Sequence, residues 1–262
     1  MRTGGSGGGG FLGKRGFVWK LLASGLVPVM MAGAYAFMAA TSESDNTGKA
    51  WMALGFVFVL VLWWIFRLTT KTAALARAMS VGDSERILEL TPPAATPQNL
   101  VRRAFAYEMR GEWTDALAAA DAALALPRPT ADLLAQGTAI RVGVFVETGG
   151  VAAAREAYEA GLATRSSDPR ARVFDHEVER HAHLARGRIA WAEGDLAAAT
   201  AALDRVMRDV RSGAAQRALA HTYAARIATT RGDAAAVAKH RVEIARLAPT
   251  SWMAREQGVE KP

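Results

Sequence analysis

The chain has 262 residues and no cysteine, which excludes disulfides, thiolate metal sites and a cysteine nucleophile. Its net charge of +7 is unevenly placed: residues 1–77 hold eight basic against two acidic side chains, so the remainder is close to neutral and offers little to a nucleic acid. Beyond residue 70, Ala, Leu and Arg dominate with few β-branched runs, a composition that predicts an all-α domain.

Residues 1–16 read as a flexible Gly-rich basic tail, with Gly at six of the first ten positions. Residues 17–70 read as a two-helix transmembrane anchor. The stretch 21–40 is uncharged and long enough to cross ~30 Å of hydrocarbon at 1.5 Å per residue. The second, 51–66, is near the lower limit and extends to about Thr70 if Arg67 reaches the headgroups. Trp19, Trp51, Trp63 and Trp64 flank these stretches as interfacial anchors. Ala32, Ala36 and Ala40 form a small-residue stripe for close helix approach, and Pro28 predicts a kink.

Lys14, Arg15 and Lys20 precede the first stretch and Arg67, Lys71 and Arg77 follow the second, whereas the connection carries Glu43, Asp45 and only Lys49. Positive-inside bias then places both termini in the cytoplasm, at the inner membrane of a bacterial-type cell. A cleaved signal ending near Ala34-Tyr35-Ala36 is the competing reading of the first stretch and leaves the C-terminal domain on the same side.

Residues 71–96 are expected to be a linker and a capping half-repeat, turning at Gly82. From 97 to 249 one pattern recurs about Gly111, Gly149, Gly194 and Gly232. Seven residues before each glycine stands Ala104, Val142, Gly187 or Ala225; five after stands Ala116, Ala154, Ala199 or Val237. Small residues at those offsets allow two antiparallel helices to approach, with the glycine supplying the turn, so Ala116, Ala154 and Ala199 are expected at buried helix contacts. Thr96-Pro97, Thr130 and Asp168-Pro169 supply helix starts. Residues 250–262 read as a C-terminal tail, with Trp252 folded back onto the last helix.

These glycine-centred turns, their small residues, and Trp113 two residues after the first glycine resemble the tetratricopeptide repeat (TPR) family. The glycine spacings of 38, 45 and 38 exceed the 34 of that family, implying longer helices or loops. The resemblance implies a solenoid of about four helical hairpins whose first helices line a concave groove for a protein partner. Two spans before cytoplasmic repeats also look like the architecture of the haem-biosynthesis-associated membrane TPR proteins of bacteria.

By that resemblance, the residues six and three before each glycine face the groove: Phe105 and Glu108, Gly143 and Val146, Arg188 and Trp191, Arg226 and Thr229. Phe105, Glu108, Arg188, Trp191 and Arg226 are the partner-binding candidates. Arg188 and Arg226 beside Trp191 suit a carboxylate, an acidic peptide segment or a C-terminus, and their removal is then expected to leave stability nearly unchanged. The alternative is that both arginines are solvated or paired with acids such as Glu193.

His176, Glu179 and His183 share one helix face and offer three ligands to a metal, although the H-E-x-x-H pattern fails at Arg180. No phosphate-binding, nucleophile-elbow or dinucleotide motif occurs, so neither catalysis nor a cofactor is expected. The function expected is a membrane-anchored scaffold that recruits a protein. A structural subunit of a membrane complex, contacting others through its spans, is the alternative, and a metal-dependent enzyme is a third.

Overall fold

The computed structural model describes residues 47–92, 96–127, 130–163, 175–256 and 258. Among them every regular element is helical: eleven α-helices and one π-helical turn. The tail at 1–16, the stretch at 21–40 and the Asp168-Pro169 start lie outside the described residues. Two compact units divide at Thr69 and Thr70.

Helix α1 comprises Thr47–Val81. Val57, Phe58, Leu60, Leu62, Trp63, Trp64, Phe66 and Leu68 are exposed on it, and the Arg67 guanidinium lies over the Trp63 ring at 5.2 Å. Among the described residues no helix is long and apolar enough to cross a membrane. A run of exposed apolar side chains this long is costly in water at roughly 25 cal/mol per Å².

Four hairpins follow the short α2, Ser84–Leu90: α3 Pro97–Arg110 with α4 Trp113–Ala125, α5 Ala131–Glu147 with α6 Val151–Tyr158, α7 Asp175–Ala192 with α8 Leu196–Arg208, and α9 Ala214–Thr230 with α10 Ala234–Leu247. Local chemistry sets their ends. Thr96 and Thr130 accept hydrogen bonds from the Asn99 and Leu133 backbone N–H groups, Pro97 holds the first helical position of α3, and Asp195 and Asp233 cap α8 and α10. Gly82, Gly111, Gly149, Gly194 and Gly232 all sit at φ between 69° and 83°, the left-handed region that a Cβ disfavours. After Gly111, Gly149 and Gly232 the next N–H reaches back to the carbonyl five residues earlier, which satisfies the helix end.

The small residues do what their spacing predicts. Ala104, Val142, Gly187 and Ala225 are buried, as are Ala116, Ala154 and Ala199, and a Cβ on Gly187 would sit 2.7 Å from Leu203 and 3.6 Å from the Ala199 carbonyl. Ala199→Leu is therefore expected to overpack the third hairpin and cost about 1–3 kcal/mol, read as a lowered urea midpoint for the full chain in detergent. An unchanged midpoint would contradict this packing.

The first helices α3, α5, α7 and α9 stack in sequence, and each second helix also touches the first helix of the next hairpin. The stack also closes on itself. The Gly82 turn lies between hairpins one and four, since a Cβ there would meet Met109 at 3.0 Å and Ala215 at 3.2 Å. From the other end of the chain, α11, Trp252–Glu256, contacts α3, α9 and α10. Within the expected tail at 250–262, Ser251, Trp252, Met253 and Ala254 are buried and Trp252 does fold back, as burial of these side chains favours, while 257 and 259–262 lie outside the described residues.

Candidate functional site

The first helices converge on a pocket of about 250 Å³ that opens to solvent. Phe105 and Glu108 of α3, Gln136, Ala139 and Ile140 of α5, Leu184 and Arg188 of α7, and Gln216 and Leu219 of α9 line it. These positions share a face because inward residues recur every three or four along each helix. Three of the expected binding residues, Phe105, Glu108 and Arg188, thus meet in one place. Trp191 and Arg226 lie elsewhere.

At the cavity wall the Arg188 Nη1 donates to Glu108 Oε1 at 2.8 Å, with side chains only 2% and 4% exposed. Burial pushes the Glu108 carboxyl above its ordinary value, and the Arg188 charge and hydrogen bond oppose that rise. Burial also works against the Arg188 charge, but Glu108 outweighs it and holds the guanidinium above its ordinary value. Room for the pair comes from Gly143, where a Cβ would fall 1.9 Å from Arg188 Nη1 and 2.7 Å from Glu108 Oε1. The Arg188 Nε, buried as well, has no hydrogen-bond acceptor among the described residues.

Beyond Arg188 a second cluster fills the space between the helices. The Arg188 guanidinium lies over the buried Tyr223 ring at 5.4 Å, and the Tyr223 hydroxyl donates to Glu147. Arg226 donates to both Glu147 oxygens, at 2.8 and 3.1 Å, and to both Glu256 oxygens, at 2.9 and 3.0 Å. Its guanidinium also lies over Trp191 at 5.0 Å, Tyr223 at 5.1 Å and Trp252 at 5.4 Å. Burial disfavours its charge, yet the Glu147 hydrogen bonds more than compensate and raise its pKa. Burial likewise raises that of Tyr223.

Both arginines therefore face inward as expected but hold carboxylates of their own chain. Glu193, named above as their neighbour, accepts instead from Arg155 Nε at 3.0 Å. The expectation that the arginines can be removed without cost to stability is corrected for Arg188: its burial makes its charge part of the core. Glu147, Tyr223 and Glu256 escaped the sequence reading. Two of them are acids whose arginine lies 79 and 30 residues away, a separation at which no local pattern records pairing.

Of the candidate metal ligands, His176 Nδ1 approaches Glu179 at 3.9 Å on an exposed face, while His183 has its pKa lowered by burial and by the charges of Arg205 and Arg186. Among the described residues no group of three His, Asp or Glu side chains is arranged to hold a metal ion.

A histidine pair missed in the sequence joins α9 to α10, His221 Nδ1 lying 2.9 Å from His240 Nδ1. Such a contact needs one ring nitrogen to donate and the other to accept, so protonating both rings breaks it. Burial, then the His240 charge, then Arg217 and Arg246, lower the His221 pKa to about 4 against the pull of Glu243. Burial and Lys239 lower that of His240, against Asp204 and Asp233. A pKa depressed on folding means the unfolded chain binds the proton first, so this stability is intact above about pH 6.5 and is lost as pH falls toward 4. With both rings partly exposed, the loss between pH 7 and 5 is expected to be about 1 kcal/mol. Melting of His221→Gln across that range should be flatter than wild type; parallel curves would exclude the pair as the cause.

Compared with known protein families, curated proteins and solved structures, the chain matches none.

Proposed function

We propose that this protein is a membrane-anchored scaffold that holds a protein partner at the cytoplasmic face of a bacterial-type inner membrane. The observation that carries the reading is the cavity on the inner face of four stacked hairpins, lined from all four first helices. Helical-hairpin stacks of the kind the sequence resembles hold partners on that face. Anchoring rests on the uncharged stretches at 21–40 and 51–66, on their flanking basic residues, and on the exposed apolar side chains and Trp63 and Trp64 of α1.

Co-purification of the full chain in mild detergent, followed by mass spectrometry, tests the docking. A partner bound by wild type and lost from Ala139→Phe, which fills the cavity, supports the proposal; a partner retained by a folded Ala139→Phe refutes it. The exposed apolar row of α1 favours a second reading, a structural subunit that meets its neighbours through the anchor. In that case residues 1–75 alone retain the partners.

Topology is tested separately, and the absence of native cysteine makes the probe clean. Val210 is 91% exposed and suits a label. With an impermeant maleimide on intact cells, Ser42→Cys is expected to react and Val210→Cys to stay protected until lysis. Reaction of Val210→Cys before lysis reverses the orientation.

A further inference from the structure

We infer that His221 and His240 form a two-histidine clip for a divalent late transition-metal ion, Zn²⁺ or Cu²⁺, across the fourth hairpin. His221 stands on α9 and His240 on α10, and their Nδ1 atoms lie 2.9 Å apart, with ring centroids at 5.2 Å and planes inclined by 44°. Two imidazole nitrogens from the two helices therefore point at a common spot. Zn²⁺ holds imidazole nitrogens at ~2.0–2.1 Å, which in a tetrahedral arrangement separates them by about 3.3 Å. The rings need to part by roughly 0.4 Å, within reach of small side-chain rotations because both are only half-buried.

The protonation state of the pair suits a cation. Burial keeps both rings neutral at neutral pH, so few protons compete for their lone pairs. As the metal enters, the proton shared between the Nδ1 atoms passes through water to the Nε2 of its own ring. Both Nδ1 lone pairs are then turned to the metal, and no net proton is released. Glu243 of α10, Asp204 of α8 and Asp233 at the head of α10 bring negative charge to the pair, while Arg217 of α9 and Lys239 and Arg246 of α10 bring positive charge. The two signs offset one another, so the nitrogen ligands decide which ion binds. Imidazole suits Zn²⁺ and Cu²⁺, whereas Mg²⁺ requires oxygen ligands.

Among the described residues no third His, Asp or Glu completes the set, so water fills the remaining positions. Half the protein ligands of a structural zinc site supply about half its binding energy, which corresponds to a Kd of roughly 1–200 µM. The ligands lie 19 residues apart on opposite sides of the Gly232 turn. An unfolded chain does not hold them together, so the metal ties α9 to α10 and stabilises the folded hairpin.

The test uses the full chain in mild detergent carrying His176→Gln, which removes the exposed histidine able to compete together with His183. One equivalent of Cu²⁺ is expected to give an electron paramagnetic resonance spectrum with the nitrogen hyperfine pattern of two imidazoles. Excess Zn²⁺ should raise the urea midpoint, EDTA should reverse the rise, and Mg²⁺ should leave the midpoint unchanged. Adding His221→Gln or His240→Gln should weaken Zn²⁺ binding, read by calorimetry, about tenfold or more. A copper spectrum with fewer than two imidazole nitrogens overturns the inference, as does Zn²⁺ affinity retained by either variant or a response to Mg²⁺ equal to that for Zn²⁺. The copper spectrum needs no substitution within the hairpin, so it decides the matter even where a histidine variant fails to fold.

Discussion

Arg188→Ala is expected to destabilise the hairpin domain by roughly 3–5 kcal/mol, the range for removing one partner of a buried ion pair. Glu108 would stay behind in the core without the Arg188 guanidinium, and the space above Gly143 would be left unfilled. Glu108→Ala should cost a similar amount for the mirror-image reason. Replacing both, as Glu108→Leu with Arg188→Met, is expected to restore most of the loss, because a buried pair seldom outperforms apolar groups of the same volume. Urea unfolding of wild type, the two alanine variants and their double, Glu108→Ala with Arg188→Ala, forms a double-mutant cycle, with the Leu–Met replacement measured beside it. A single-mutant loss below 1 kcal/mol, or strict additivity in the double, would show that the pair is not buried and coupled in solution.

Trp252→Ala is expected to cost about 3–5 kcal/mol, although it changes a residue ten positions from the C-terminus. Trp252 packs edge to face on Trp113 with centroids 5.3 Å apart, lies under the Arg226 guanidinium, and comes within 3.3 Å of where a Cβ on Gly111 would stand. It joins the last hairpin to the first, so its loss opens a closure and not merely a chain end. Arg255, donating to the Arg110 carbonyl at 2.7 Å, reinforces the same junction. Glu256→Gln makes the contrasting case. Its carboxylate is 37% exposed and Arg226 keeps Glu147, so a loss below about 1 kcal/mol is expected. Hydrogen exchange should show faster exchange in α11 and around Gly111 in Trp252→Ala; wild-type protection there would mean that α11 does not close the stack.

The binding candidates show where sequence reasoning reached its limit. Counting back six and three residues from each glycine named Phe105, Glu108, Arg188, Trp191 and Arg226; the first three line one pocket, and Trp191 and Arg226 lie in the neighbouring cluster with Tyr223. Such counting treats the inner side as an open groove. The groove's far part is in fact filled by Tyr223, Glu147, Arg226 and α11, and what remains open is the pocket lined by Phe105, Glu108 and Arg188. Whether an inward arginine meets solvent or a carboxylate depends on how far the stack curves, and curvature is a sum over interfaces that no single repeat encodes.

Local units are legible without coordinates: helices throughout the described residues, turns at Gly82, Gly111, Gly149, Gly194 and Gly232, caps at Thr96 and Thr130, and close helix contacts at Ala116, Ala154 and Ala199. Each depends on forces acting within a few residues, since positive φ demands glycine, a cap reaches three residues, and a small side chain permits its own hairpin to close. The pairing of Glu108 with Arg188 and of Glu147 and Glu256 with Arg226, and the return of Trp252 to the first hairpin, emerge from the assembled stack. Those contacts join residues 30 to 139 positions apart, and burial of charge and aromatic surface selects them only after the hairpins have stacked.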